Sequence, residues 1–114
     1  MTDCLFCKIV AGDIPSTAVA QSETSLAIRD IEPQAPVHVL VIPKTDVTRA
    51  DHVTAAHDGV VDELVLLAQA VAEQEGIRES GYRLVMNVGP DAQMSVPHLH
   101  LHVLGGRQME WPPG

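Results

Sequence analysis

A chain of 114 residues has room for one domain with one core. Hydrophobic residues at 46% against charged residues at 19%, with prolines and glycines breaking up the apolar runs, exclude a disordered chain. The formal net charge of −8 repels polyanions, so nucleic acid and acidic membrane surfaces are not expected partners. A small phosphate group remains within reach of a local set of main-chain N–H groups and imidazoles.

Leu5, Phe6, Ile9 and Val10 suit a short helix between Cys4 and Ala11, which Gly12 stops. The opening MTDCLFCKIV has neither the basic start nor the long apolar run of a secretion signal, and no stretch approaches the roughly 20 apolar residues of a membrane span. A cytoplasmic protein with reduced Cys4 and Cys7 is expected. Ile14-Pro15-Ser16 turns the chain, and Val19–Gln21 and Ser25–Arg29 read as short strands around polar Ser22, Glu23 and Thr24. Two prolines make Asp30–Pro36 an ordered loop without helix. Val37–Ile42, rich in β-branched residues, reads as a central strand ending at Pro43. Thr45–His57 is irregular, with room for one helical turn. Val60, Leu64, Leu67 and Val71, with Val61, Ala68 and Ala72 beside them, give one long helix up to Gly76. Tyr82–Asn87 reads as a strand, Val88–Asp91 as a turn, and His98–Leu104 as the last strand before Gly105-Gly106. The order is helix, three strands, helix, two strands, which favours an α+β fold with an antiparallel sheet.

The chemistry concentrates in Ser95-Val96-Pro97-His98-Leu99-His100-Leu101-His102-Val103-Leu104. Strand alternation places His98, His100 and His102 on one face and Leu99, Leu101 and Val103 on the other. Imidazoles at i, i+2 and i+4 span about 13 Å at roughly 3.3 Å per residue. All three cannot meet one ion at about 2 Å. Imidazole is largely neutral near pH 7 and attacks phosphorus as a nucleophile, and phosphoryl chemistry needs little beyond alignment and donors for the oxygens. Taken alone, Asp30 also reads as a turn cap, Phe6 and Ile9 as ordinary core, and His38 as a core histidine in a supporting role.

The H-x-H-x-H run followed by two apolar residues resembles the signature of the histidine-triad (HIT) family. The ending Gly105-Gly106-Arg107-Gln108-Met109-Glu110-Trp111-Pro112-Pro113-Gly114 resembles its Hint branch. The likeness extends through Asp30–His38, Val41–Lys44 and Tyr82–Asn87. It implies a five-stranded antiparallel sheet with one long and one short helix, pairing as a homodimer with a continuous sheet. It also implies hydrolysis of purine nucleoside phosphoramidates, AMP linked to an amine being typical, through a nucleotidyl-histidine intermediate. The nucleotide partner would be AMP or GMP. His100 would be the nucleophile and His102 would hold a phosphate oxygen, with His98 and His38 beneath ordering the triad. Ser95 and Asn87 would contact the phosphate and leaving group, and Asp30 the ribose hydroxyls. Leu5, Phe6, Ile9, Ile28 and Ile31 would form the slot for the base.

No cofactor is required for that chemistry. The resemblance does imply a structural zinc at Cys4, Cys7 and His98, with Asp46 or His52 as fourth ligand; core thiols are the other use of the pair. Ala92-Gln93-Met94-Ser95 departs from the Gly-Gly-Gln-Ser run usual in the branch. A dinucleoside polyphosphate hydrolase and a non-catalytic nucleotide-binding interaction protein are the alternatives. The intact triad disfavours the second, and the Trp-Pro-Pro-Gly ending the first.

Overall fold

The structure, a computed structural model, describes residues 4–114. Helix α1 (Leu5–Val10) begins where the Cys4 thiol accepts from the Cys7 N–H at 3.1 Å and ends at Gly12, whose φ of +84° leaves the helical region. Strands β1 (Ala18–Gln21), β2 (Ser25–Arg29) and β3 (Val37–Pro43) follow as an antiparallel meander. Helix α2 (Val60–Gln74) comes next, then β4 (Tyr82–Val85) and β5 (Leu101–Gly105). The sheet runs β1-β2-β3-β5-β4, with every neighbour antiparallel. Among the described residues no helix is long and apolar enough to cross a membrane.

The end of α2 shows how local sequence sets architecture. Gly76 takes φ +73°, its N–H bonds the Glu73 carbonyl at 3.3 Å, and the Ile77 N–H bonds the Ala72 carbonyl at 3.0 Å. That pairing caps the helix and drives Ile77 into the core, where it is 3% exposed. α2 covers one face of the sheet. Leu64, Leu67, Ala68 and Val71 pack there on Ala27, Val39, Val41, Leu99, Leu101 and Val103. The opposite face carries the smaller cluster of Phe6, Ile28, Leu40 and Ile42, with Ile9 and Val10 against it. Residues alternate along β3, so Val39 and Val41 meet α2 while His38, Leu40 and Ile42 look towards α1.

Beyond single-residue shifts at element ends, three features differ from the sequence reading. The last strand starts at Leu101, not His98, and β4 stops at Val85, before Asn87. The segment 45–57 holds two short 3-10 turns, Ala50–His52 and Ala55–His57, rather than one. The first difference has a clear cause. The β3–β5 ladder pairs Val41 with Leu101, so its next rung would use Pro43, which has no N–H to give. The Leu99 N–H turns instead to the Val47 carbonyl at 2.6 Å, and the His98 N–H to the Val96 carbonyl at 2.8 Å. His98 and His100 therefore lie on an irregular approach to the strand.

Candidate active site

Although only His102 lies within β5, the alternation survives the bend: Leu99, Leu101 and Val103 enter the α2 core, and the three imidazoles collect on the α1 face. The Phe6 ring meets His100 edge-on with centroids 4.9 Å apart and His98 at 6.3 Å; His100 and His102 lie 5.0 Å apart. The short helix thus lays an apolar wall along the histidine row.

His100 is 6% exposed. Its Nδ1 lies 2.7 Å from the His98 carbonyl, which can only accept, so Nδ1 carries the proton and Nε2 keeps its lone pair. Burial lowers its pKa from the ordinary histidine value, a pull that the His98 carbonyl only partly opposes. The ring is neutral at pH 7, and its free nitrogen is a competent nucleophile.

His38 and His102 are diagonal neighbours across the β3–β5 ladder, where His38 pairs with Leu104 and Leu40 with His102. His38 Nδ1 accepts the Gln34 main-chain N–H at 3.0 Å, which puts the His38 proton on Nε2. That nitrogen donates to His102 Nδ1 at 2.9 Å, which in turn puts the His102 proton on its own Nε2. Asp30 Oδ2 lies 3.4 Å from His38 Nε2, and Asp30 Oδ1 accepts the Glu32 N–H at 2.8 Å. Burial lowers the pKa of both rings, that of His102 to about 4, with the neighbouring His100 and His38 adding to the effect. The relay ends in a His102 Nε2–H that is buried and has no partner among the described residues. An unsatisfied buried donor needs an explanation, and a phosphate oxygen is one.

At the other end of the row, His98 is 1% exposed and its Nε2 lies 2.9 Å from the Pro43 carbonyl. A neutral ring donating there keeps a lone pair on Nδ1, which faces Cys7 Sγ at 3.1 Å and Cys4 Sγ at 3.3 Å. Asp46 Oδ1 is 3.8 Å from the same nitrogen. His52 stands apart from the group, 3.9 Å from Asp51. Desolvation, with Cys4 beside it, pushes the Cys7 thiol up to about 12. The donors fit a zinc: two sulfurs and one imidazole nitrogen within 4.8 Å of each other, a carboxylate alongside, and a carbonyl orienting the imidazole from behind.

Phe6, Ile9 and Ile28 pack into one cluster, whereas Leu5 is 42% and Ile31 94% exposed. Asn87 is half-buried just past β4, and Ser95 is exposed on the loop before the triad. The sequence reading missed three contributors, the Gln34 N–H, the Pro43 carbonyl and Arg107. All three residues lie in segments that carry the family likeness, but the sequence assigned none of them a role.

Residues 11–109 match the HIT domain. The chain belongs to the HIT family. This HIT chain is 49% identical over 115 residues to the 14 kDa zinc-binding protein of Zea mays, covering 96% of itself and 87% of that relative. It is 43% identical over 105 residues to the purine nucleoside phosphoramidase of Escherichia coli, covering 92% of itself and 88% of the enzyme. The crystal structure of a HIT family hydrolase from Legionella pneumophila superposes with a TM-score of 0.95 at 47% identity, covering 98% of this HIT chain and 100% of the other.

Proposed function

We propose that this protein hydrolyses purine nucleoside 5′-phosphoramidates, AMP and GMP amides, to the nucleoside monophosphate and an amine, through a nucleotidyl-histidine intermediate. One observation carries the reading: the His98 carbonyl holds the His100 Nδ1 proton at 2.7 Å, which leaves Nε2 as a free lone pair in a neutral ring. Nε2 attacks phosphorus as the P–N bond breaks. The electron pair leaves on the amine nitrogen, which takes a proton from solvent. Water then displaces Nε2 from phosphorus, losing a proton to solvent as the ring returns to its neutral form, and the monophosphate departs. The His98 carbonyl stabilises the imidazolium of the intermediate, and the His102 Nε2–H takes the developing charge on a phosphate oxygen.

Phe6, Ile9 and Ile28 form the wall for the base, extended by Leu5 and Ile31, and Asp30 accepts the ribose hydroxyls. Ser95 and Asn87 serve the phosphate and the leaving group. Cys4, Cys7, His98 and Asp46 hold a structural zinc, which ties α1 to the loop carrying the nucleophile; the name of the maize relative supports this. Two copies pair along β4, an edge strand with Leu84 39% exposed, into a dimer with a continuous sheet. The phosphoramidase relative supports the choice of the P–N bond.

Acid-quenching a reaction with a fluorogenic AMP-tryptamine amide and sequencing the adduct by mass spectrometry is the direct test. A nucleotidyl group on His100 is expected. Adduct on another residue, or preferential turnover of diadenosine polyphosphates, would reject the reading.

A further inference from the structure

His38 is the pivot of the relay, and the group that sets its tautomer is not a side chain. Asp30 Oδ2, at 3.4 Å from Nε2, is beyond good hydrogen-bonding distance and favours a proton there only weakly. The Gln34 main-chain N–H, at 3.0 Å from Nδ1, decides it. Gln34 is held in turn. Arg107 Nε donates to the Gln34 carbonyl at 3.1 Å, and Arg107 Nη1 donates to the Gln108 carbonyl at 3.1 Å, bracing the guanidinium. The Gln34 side chain donates to the Glu32 carbonyl at 3.0 Å, and the Asp30 N–H closes the loop on the His38 carbonyl at 3.0 Å. Gly106, at φ +90°, lets the chain pass so near that a Cβ there would lie 2.9 Å from Pro36 Cβ.

We propose that the 30–36 loop, seated by Arg107, is a tautomer lock: the Gln34 N–H keeps the proton of His38 on Nε2 and thereby makes His102 a donor at Nε2. The opposite tautomer of His38 would set its Nδ1–H against the Gln34 N–H, breaking that bond, and would reverse the bond between His38 and His102. It would turn a His102 lone pair, rather than an N–H, towards a phosphate oxygen, replacing attraction with repulsion. The main-chain contact matters most once ribose hydroxyls occupy Asp30, because the carboxylate then favours the His38 proton less. Arg107 and the Gln34 amide are positioning groups in this scheme, and neither touches substrate. The kinetic half of the inference rests on the proposed phosphorus chemistry, whereas the tautomer half does not.

Two variants of the 114-residue chain, with Arg107→Lys as the conservative control, test it, read by long-range 1H–15N spectra of the imidazole rings without substrate. In the wild type, His38 and His102 should be protonated at Nε2 and His100 at Nδ1. Replacing the 33–34 amide by an ester through semisynthesis deletes the N–H with little change of shape, and should move His38 and His102 towards the Nδ1-protonated form. Arg107→Met should give a mixture of forms, and Arg107→Lys should restore the wild-type pattern. A kcat lower by about tenfold, the equivalent of one charge-assisted hydrogen bond, with KM within about twofold, is expected for Arg107→Met. Wild-type rings with the opposite tautomers, or rings unmoved in both variants, would overturn the lock. Shifted rings with unchanged kcat would overturn its catalytic role. A wild type that turns over no phosphoramidate would count against the phosphorus chemistry and leave the ring measurement to decide the lock by itself.

Discussion

Two triplets of metal-ligand type lie on the same face of the sheet, Cys4–Cys7–His98 and Asp30–His38–His102, and each gathers its ligand atoms within 4.8 Å. What separates them is the group behind the histidine. His98 has the Pro43 carbonyl at Nε2, an acceptor, so its lone pair turns inward to the sulfurs. His38 has the Gln34 N–H at Nδ1, a donor, so a proton turns inward. A metal at His38 Nε2 would force the ring proton onto Nδ1, against that N–H. A single main-chain group of opposite polarity therefore makes one triplet a metal cradle and the other a proton relay. His100 stands between them, oriented by the His98 carbonyl and flanked by His102.

The comparison breaks most completely at that middle ring. His100→Gly should lower kcat by at least about a thousandfold, measured with the fluorogenic amide, because the His98 lone pair faces the thiols and the His102 lone pair accepts from His38. The second test separates the triplets by their metal. Zinc titration of the wild type should end at one equivalent per chain, and the double variant Cys4→Ser, Cys7→Ser should bind none. Metal retained by the double variant would mean that the relay is also a metal site. With free zinc at a thousand times its dissociation constant, binding stabilises the fold by about 4 kcal/mol, and chelation should lower the urea midpoint accordingly.

Much of this arrangement is legible in the residues. Alternation along β3 and β5 is enough to separate the histidine face from the α2 core, and Gly76 marks where α2 ends. The place where β5 begins is harder to read, because it depends on a proline in a different strand withholding a rung. The polarity of the group behind each histidine is harder still. The Gln34 N–H and the Pro43 carbonyl belong to the main chain, which every non-proline residue shares, so only the folded path brings them to a ring. His52 illustrates the same limit from the other side. It is near Asp46 in sequence, but the turn at Ala50–His52 directs its ring to Asp51 and away from the thiols.

The relay should also reveal itself in acid. His102 titrates near 4 in the folded protein, because burial penalises its charged form, and near 6.5 when unfolded. Between those values the unfolded chain binds the additional proton, so stability rises with pH across the window. The contribution is complete above about 6.5 and is lost as pH falls towards 4. His38, lowered by the same burial, adds in the same direction. Urea midpoints taken from pH 7.5 down to 4.5 should fall more steeply for wild type than for His102→Gln; parallel curves would mean that the ring is hydrated and titrates normally.

The smallest effect is expected at the rim, outside both triplets. Gln93 adopts φ 62° and ψ 35°, left-handed backbone in which its Cβ crowds the chain, where the Hint branch usually has glycine. Gln93→Gly relieves strain of about 1–2 kcal/mol but gives the unfolded chain more freedom, worth about 0.4–1 kcal/mol. The net gain should lie between about zero and about 1.6 kcal/mol, read as a slightly higher urea midpoint. Because the substitution leaves Pro43, Gln34 and Arg107 in place, zinc stoichiometry and the three ring tautomers should stay as in wild type. A loss of stability would mean that the Gln93 side chain contributes more than its backbone conformation costs. A change in the tautomers would mean that the rim loop, and not the 30–36 loop alone, sets the polarity of the relay.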